Sequence, residues 1–95
     1  MDFLVRIEVN LPLTLSDEER SGLLESELER GVELHRQGSI KSIWRVPGGL
    51  RNVGIWSAAD ATDLHELLSS LPLFPYLEAE VTPLAQHPID RALGS

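Results

Sequence analysis

A chain of 95 residues with 42% apolar content forms one domain around one core, burying only about 60–65% of its unfolded surface. The net charge of −7 excludes the basic stripe a nucleic-acid partner requires and disfavours anionic membrane surfaces. No cysteine is present for disulfides or thiolate chemistry, and no apolar run suits a signal peptide or membrane span, so a cytoplasmic protein is expected.

In chain order, Phe3, Val5, Ile7 and Val9 alternate with Leu4, Arg6 and Glu8, predicting a half-buried first strand that ends at Leu11-Pro12. Ser16 followed by Glu19 three residues later reads as a capping box, opening a helix that runs to about Gln37 and stops at Gly38. Ser39 to Val46 and Arg51 to Ser57 read as two strands joined by the turn Pro47-Gly48-Gly49. Asp60-Ala-Thr-Asp63 opens a second helix with Leu64, Leu67, Leu68 and Leu71 at helical spacing, ended by Pro72. Leu77, Ala79 and Val81 alternate with glutamates in a fourth strand. From Pro83 onward no periodicity remains, and residues 83–95 read as an extended tail.

The order β-α-β-β-α-β predicts a single α+β domain over residues 1–95, a ferredoxin-like sandwich with an antiparallel sheet and two helices on one face. The other face, carrying Leu4, Arg6 and Glu8, is left for solvent or for a second copy of the chain.

Two constellations could carry chemistry. On the first helix Leu23, Leu24, Leu28, Gly31 and Leu34 form one stripe, with Glu27 inside it and His35 at its edge. Glu27 either reaches the sheet edge to pair with Arg20 or Arg6, or stands in an apolar pocket where desolvation raises its pKa. A carboxylate of the second kind can take a proton in one step and return it in the next. Gly31 either leaves room for a ligand or permits close helix–sheet packing. The second constellation is Trp44 and Arg45 with Gly48 and Asn52. Strand alternation puts Trp44 and Arg45 on opposite faces, an arginine can hold a carboxylate through two parallel bonds, and Asn52 can donate to a carbonyl.

His35, His65 and His87 have no ligand-spaced partners, so no metal is expected. No glycine-rich phosphate loop or nucleophile elbow occurs, and no cofactor is implied.

IWRVPGGLRN (Ile43–Asn52), followed by LPLFPY (Leu71–Tyr76), resembles the muconolactone isomerase family, and the likeness extends from FLVRIEVNLP to His87-Pro88. The resemblance implies a ferredoxin-like fold, a ring-shaped homodecamer or other homo-oligomer, and a cofactor-free double-bond shift in aromatic catabolism. It puts Glu27 at the family's glutamate position as the proton carrier. Arg45, Arg6 or Arg51 would hold the substrate carboxylate, and Asn52 or Arg45 would donate to the lactone carbonyl. Trp44, Phe74 and Tyr76 complete the substrate-binding set, with the LPLFPY loop closing pocket and subunit contacts. One departure stands out: Gly49-Leu50 occupies the place of a His-Tyr pair. The scaffold would equally suit a non-catalytic small-molecule-binding or assembly module, or a cyclase-like role.

Overall fold

The computed structural model describes residues 1–94 and opens with β1 (Asp2–Val9). Its alternation is realised as read: Phe3, Val5 and Ile7 are buried, whereas Arg6 and Glu8 are exposed. Helix α1 (Asp17–Arg36) starts at the capping box, where the Ser16 hydroxyl accepts from the Glu19 N–H and the Glu19 carboxylate accepts from the Ser16 N–H. These bonds satisfy two backbone donors that the first helical turn leaves unpaired. Gly38, at φ 87°, turns the chain out of the helix in a conformation that side-chain-bearing residues rarely adopt.

Strands β2 (Ile40–Val46) and β3 (Arg51–Ser57) follow, joined by a turn in which Gly48 has φ 105°. Helix α2 (Ala61–Ser69) begins where the Asp60 carboxylate accepts from the Asp63 N–H. A short 3₁₀ turn, Phe74–Tyr76, leads into β4 (Leu77–Leu84). The fourth strand runs to Leu84, and the segment without sequence periodicity carries a five-residue helix, α3 (Pro88–Ala92). Its start is local chemistry rather than amphipathicity: Pro88 presets the first helical φ, and His87 Nδ1 accepts from the Ile89 N–H.

The sheet has the order β2-β3-β1-β4 with every pairing antiparallel, the ferredoxin-like arrangement. Phe3 and Val5 of β1, Trp56 of β3, Leu34 of α1 and Leu64 and Leu68 of α2 meet in one cluster. Each fully buried large side chain there contributes about 1.5–3 kcal/mol. Gly54 is required by strand approach, since a Cβ there would lie 2.5 Å from the Ser42 carbonyl oxygen.

Helix α1 departs from the stripe expected of it. Leu34 is its one buried residue among those described, and Leu28 is 69% exposed. From Leu24 to His35 one side of α1 faces a cavity instead of packed sheet. Among the described residues no helix is long and apolar enough to cross a membrane.

Candidate active site

The cavity has a volume of about 390 Å³ and lies between α1 and the helix-side face of the sheet. Leu24, Leu28 and Val32 of α1 face Ile7 of β1 and Ile40 and Ile43 of β2 across it, so its walls are mainly aliphatic. Gly31 lies in the same wall, and a Cβ added there would meet nothing within 4 Å. Of the two roles open to this glycine, the structure shows space rather than close packing.

Glu27 is half-buried in this wall. Its Oε1 accepts a hydrogen bond from the backbone N–H of Leu73 at 3.0 Å. Two opposing effects act on the carboxyl. Desolvation disfavours the charged form and raises the pKa; the Leu73 N–H supports the anion and lowers it; the net direction is upward. The ion pair with Arg20 or Arg6 is not formed. The salt bridges among the described residues are Arg30–Glu33 and Lys41–Asp2.

The LPLFPY loop is what delivers the Leu73 N–H. Phe74 N–H donates to the Leu71 carbonyl at 2.9 Å, Tyr76 N–H to the Leu73 carbonyl at 2.8 Å, and Asn10 N–H to the Tyr76 carbonyl at 2.8 Å. Pro72 and Pro75 fix φ on either side of Leu73 and Phe74, which limits the loop's alternatives. Leu71 and Leu73 are buried by their own chain and line the cavity. The expectation that neighbouring subunits bury this loop is therefore corrected for these two side chains: they need no neighbour.

On the sheet side, Arg45 and Asn52 are direct cross-strand partners, and both line the cavity. Arg45 Nη1 donates to the Arg51 carbonyl at 3.2 Å, which orients the guanidinium at the exposed edge. Asn52 Oδ1 is buried and meets no hydrogen-bond partner in the protein. The same holds for Nε1 of Trp56, another cavity residue.

The structure thus brings Glu27, Arg45 and Asn52 together and places the other candidates elsewhere. Arg6 lines a second depression, on the open sheet face with Arg51, Glu78 and Glu80, which shares Ile7 and Asn52 with the cavity. Trp44 alternates to that same open face, away from Arg45, and is 58% exposed. Phe74 packs against the core and meets His65 edge to face, at 5.9 Å between ring centres, outside the cavity lining. Tyr76 is half-buried and also lies outside the lining. In each case strand alternation or the turn of the 3₁₀ segment, invisible to a motif, decides the side. Sequence reasoning missed Trp56 and the Leu73 amide. Trp56 was accessible from alternation, because Asn52, Gly54 and Trp56 share one face of β3; the amide was not. Among the described residues no group of three or more His, Cys, Asp or Glu side chains could hold a metal ion.

The sequence profile of the family described as muconolactone delta-isomerase matches residues 1–90, nearly the whole chain. The chain belongs to the muconolactone delta-isomerase family. Among its relatives in that family, the muconolactone delta-isomerase of Rhodococcus opacus is 39% identical over 88 residues, covering 93% of this chain and 95% of that one. The Acinetobacter baylyi muconolactone delta-isomerase is 36% identical over 88 residues, covering 93% and 92%. A crystal structure of muconolactone isomerase superposes with a TM-score of 0.85 at 34% identity, covering 93% of this chain and 92% of that one. The family's scaffold is therefore shared from β1 to the start of α3. The departure at Gly49-Leu50 falls at the cavity: Leu50 lines it, and the Arg51 guanidinium lies against Gly49, with Nε 3.2 Å from where a Cβ would stand.

Proposed function

We propose that this protein is a cofactor-free isomerase that moves the ring double bond of a muconolactone-type carboxylated lactone, a step in the breakdown of aromatic compounds. The observation that carries the reading is Glu27: a carboxylate in an aliphatic cavity, held by one backbone N–H and raised in pKa. The relatives' names, as muconolactone delta-isomerases, supply the reaction class.

The chemistry asks for few parts. In a 2,3-unsaturated lactone the ring proton on the γ carbon is acidified by conjugation to the carbonyl. Glu27 takes that proton, the electron pair moves through the double bond to the carbonyl oxygen, and a dienolate forms. Protonated Glu27 then returns the proton to the α carbon, two positions away, and the double bond is left between the β and γ carbons. One carboxyl serves as base and then acid because its raised pKa lies nearer neutrality in both states. Asn52 and Arg45 both line the cavity, and in this reading Asn52 donates to the carbonyl oxygen as charge develops there while Arg45 holds the free carboxylate. Arg6 and Arg51, on the other face, are not assigned to the substrate.

We infer further that copies of the chain associate. Trp44 stands exposed on the open sheet face, and Ile43 at the cavity is also exposed; a second copy would cover such surfaces.

The function is tested by incubating the purified protein with muconolactone and following the ring protons by NMR, with and without a chelator. Accumulation of 3-oxoadipate enol-lactone at the same rate in both arms is the expected result. No turnover above the uncatalysed rate would overturn the assignment.

A further inference from the structure

Trp56 is 1% exposed, and its indole N–H finds no acceptor in the protein. Buried indole N–H groups usually have a partner, because sealing an unpaired donor from water forfeits a hydrogen bond. Phenylalanine would supply similar packing at this position without that penalty. The ring belongs to the wall of the Glu27 cavity. Four residues earlier on the same face of β3, roughly 13 Å along the strand, Asn52 carries the other buried side-chain atom without a partner among the described residues. Both residues therefore belong to one strand face and line one cavity. Elsewhere in that cavity the polar atoms have partners or reach solvent: Glu27 receives the Leu73 N–H, and Arg45 is exposed and bound to the Arg51 carbonyl.

We propose that the Trp56 Nε1–H donates to the acyl oxygen of the ligand, so that the lactone enters carbonyl first and leaves its carboxylate beside Arg45 at the exposed edge. This rests on the proposed isomerase reading and adds a donor to it. As the dienolate forms, negative charge gathers on that oxygen, and a donor shielded from water acts on it without competition from solvent. The burial gradient sets the orientation. A carboxylate would lose its hydration at the Trp56 end without gaining a cation, whereas an uncharged carbonyl gains a donor there. Because Nε1 is sealed from bulk water, the ring must turn slightly to meet the ligand, and its resonance reports that movement.

The test uses the two indole N–H resonances of the uniformly ¹⁵N-labelled protein, the one from Trp56 identified by its persistence in Trp44→Phe. Three titrations are compared: the saturated γ-lactone bearing an acetate arm, which has no double bond to shift; the same lactone ring without the carboxylate; and a straight-chain dicarboxylate without the ring. Both lactones are expected to move the Trp56 indole proton downfield, and the dicarboxylate is expected to leave it in place. In parallel, Trp56→Phe is expected to lower kcat on muconolactone by about 10²-fold, the effect of removing one oxyanion donor, with KM changed only a few-fold. An indole resonance that stays fixed while other cavity resonances report lactone binding would overturn the proposal, leaving an internal water as the partner of Trp56 and Asn52. So would a Trp56→Phe enzyme within two-fold of wild type. If the wild type does not turn over muconolactone, the isomerase reading fails, and the lactone titrations still decide whether Trp56 is a ligand donor. The resonance is read on the unmutated indole, so instability of the Phe variant leaves that answer intact.

Discussion

The Leu73 N–H donates to Glu27 Oε1 at 3.0 Å and ties a proline-bracketed loop to the middle of α1 across 46 residues of sequence. This bond explains why three large apolar side chains occupy a loop: Leu71 and Leu73 anchor it in the core, Phe74 packs beside them, and the backbone between is presented to the carboxylate. Replacing the Leu73 amide by an ester, through the α-hydroxy acid, deletes the donor and keeps the side chain. A bond to a charged group contributes about 1.5–3 kcal/mol. Losing it removes support for the anion, so the acidic limb of the pH–rate profile is expected to move up. An unmoved limb would make the bond structural only.

Glu27→Gln keeps the shape and can still accept from Leu73, but it cannot take a proton. Turnover of muconolactone is expected to fall by about 10²–10⁴-fold, the scale of a positioned acid–base group. Circular dichroism should show an unchanged fold. Full activity in this variant would end the catalytic assignment.

The same variant has a stability signature with a definite sign. Burial raises the Glu27 pKa above its ordinary value of 4.5, so the folded chain holds that proton more tightly than the unfolded chain. Its contribution is complete below the ordinary value and is lost as pH rises through the folded one. At pH 7 the wild type carries a poorly solvated charge that glutamine lacks. Glu27→Gln is therefore expected to melt higher than wild type at pH 7, the gap closing as pH falls below 4.5. A variant less stable at every pH would show that the carboxylate has a favourable partner.

Arg45→Met removes the one arginine of the cavity wall while keeping an apolar stem. Because the guanidinium is exposed, solvent weakens its hold, and the loss is expected near the low end for a charged hydrogen bond, about 1–2 kcal/mol. Calorimetry with the saturated lactone acetate should show that loss, and with the uncharged lactone almost none. Equal weakening of both would point to altered packing instead of charge recognition.

Trp44 reports on association. If the open sheet face meets a second copy, Trp44→Glu places a charge in that contact and should shift sedimentation toward the monomer at micromolar concentration. A wild type that is already monomeric at that concentration would remove the inference.

What the sequence by itself determined is local. Period-2 alternation at Phe3, Val5 and Ile7 marks a strand with one buried face, and Ser16 with Glu19 marks a helix start, because both signals arise from backbone geometry within a few residues. The order of these elements then leaves the ferredoxin-like sheet as a ready solution, and Glu27 stands out as a charge inside an apolar stripe. Tertiary structure decided the rest. The stripe on α1 becomes a cavity wall because the sheet does not rise to meet Leu28, and helical spacing carries no information about that distance. Alternation alone set Arg6 opposite Phe3, Val5 and Ile7 and set Trp44 opposite Arg45. Which of Trp44 and Arg45 shares a face with Glu27 was decided only when β2 paired with β3 and put Arg45 beside Asn52. The Leu73 amide has no side-chain signature at all. It becomes the hydrogen-bond partner of Glu27 because packing brings a loop and a helix within 3.0 Å, where partial burial strengthens the contact.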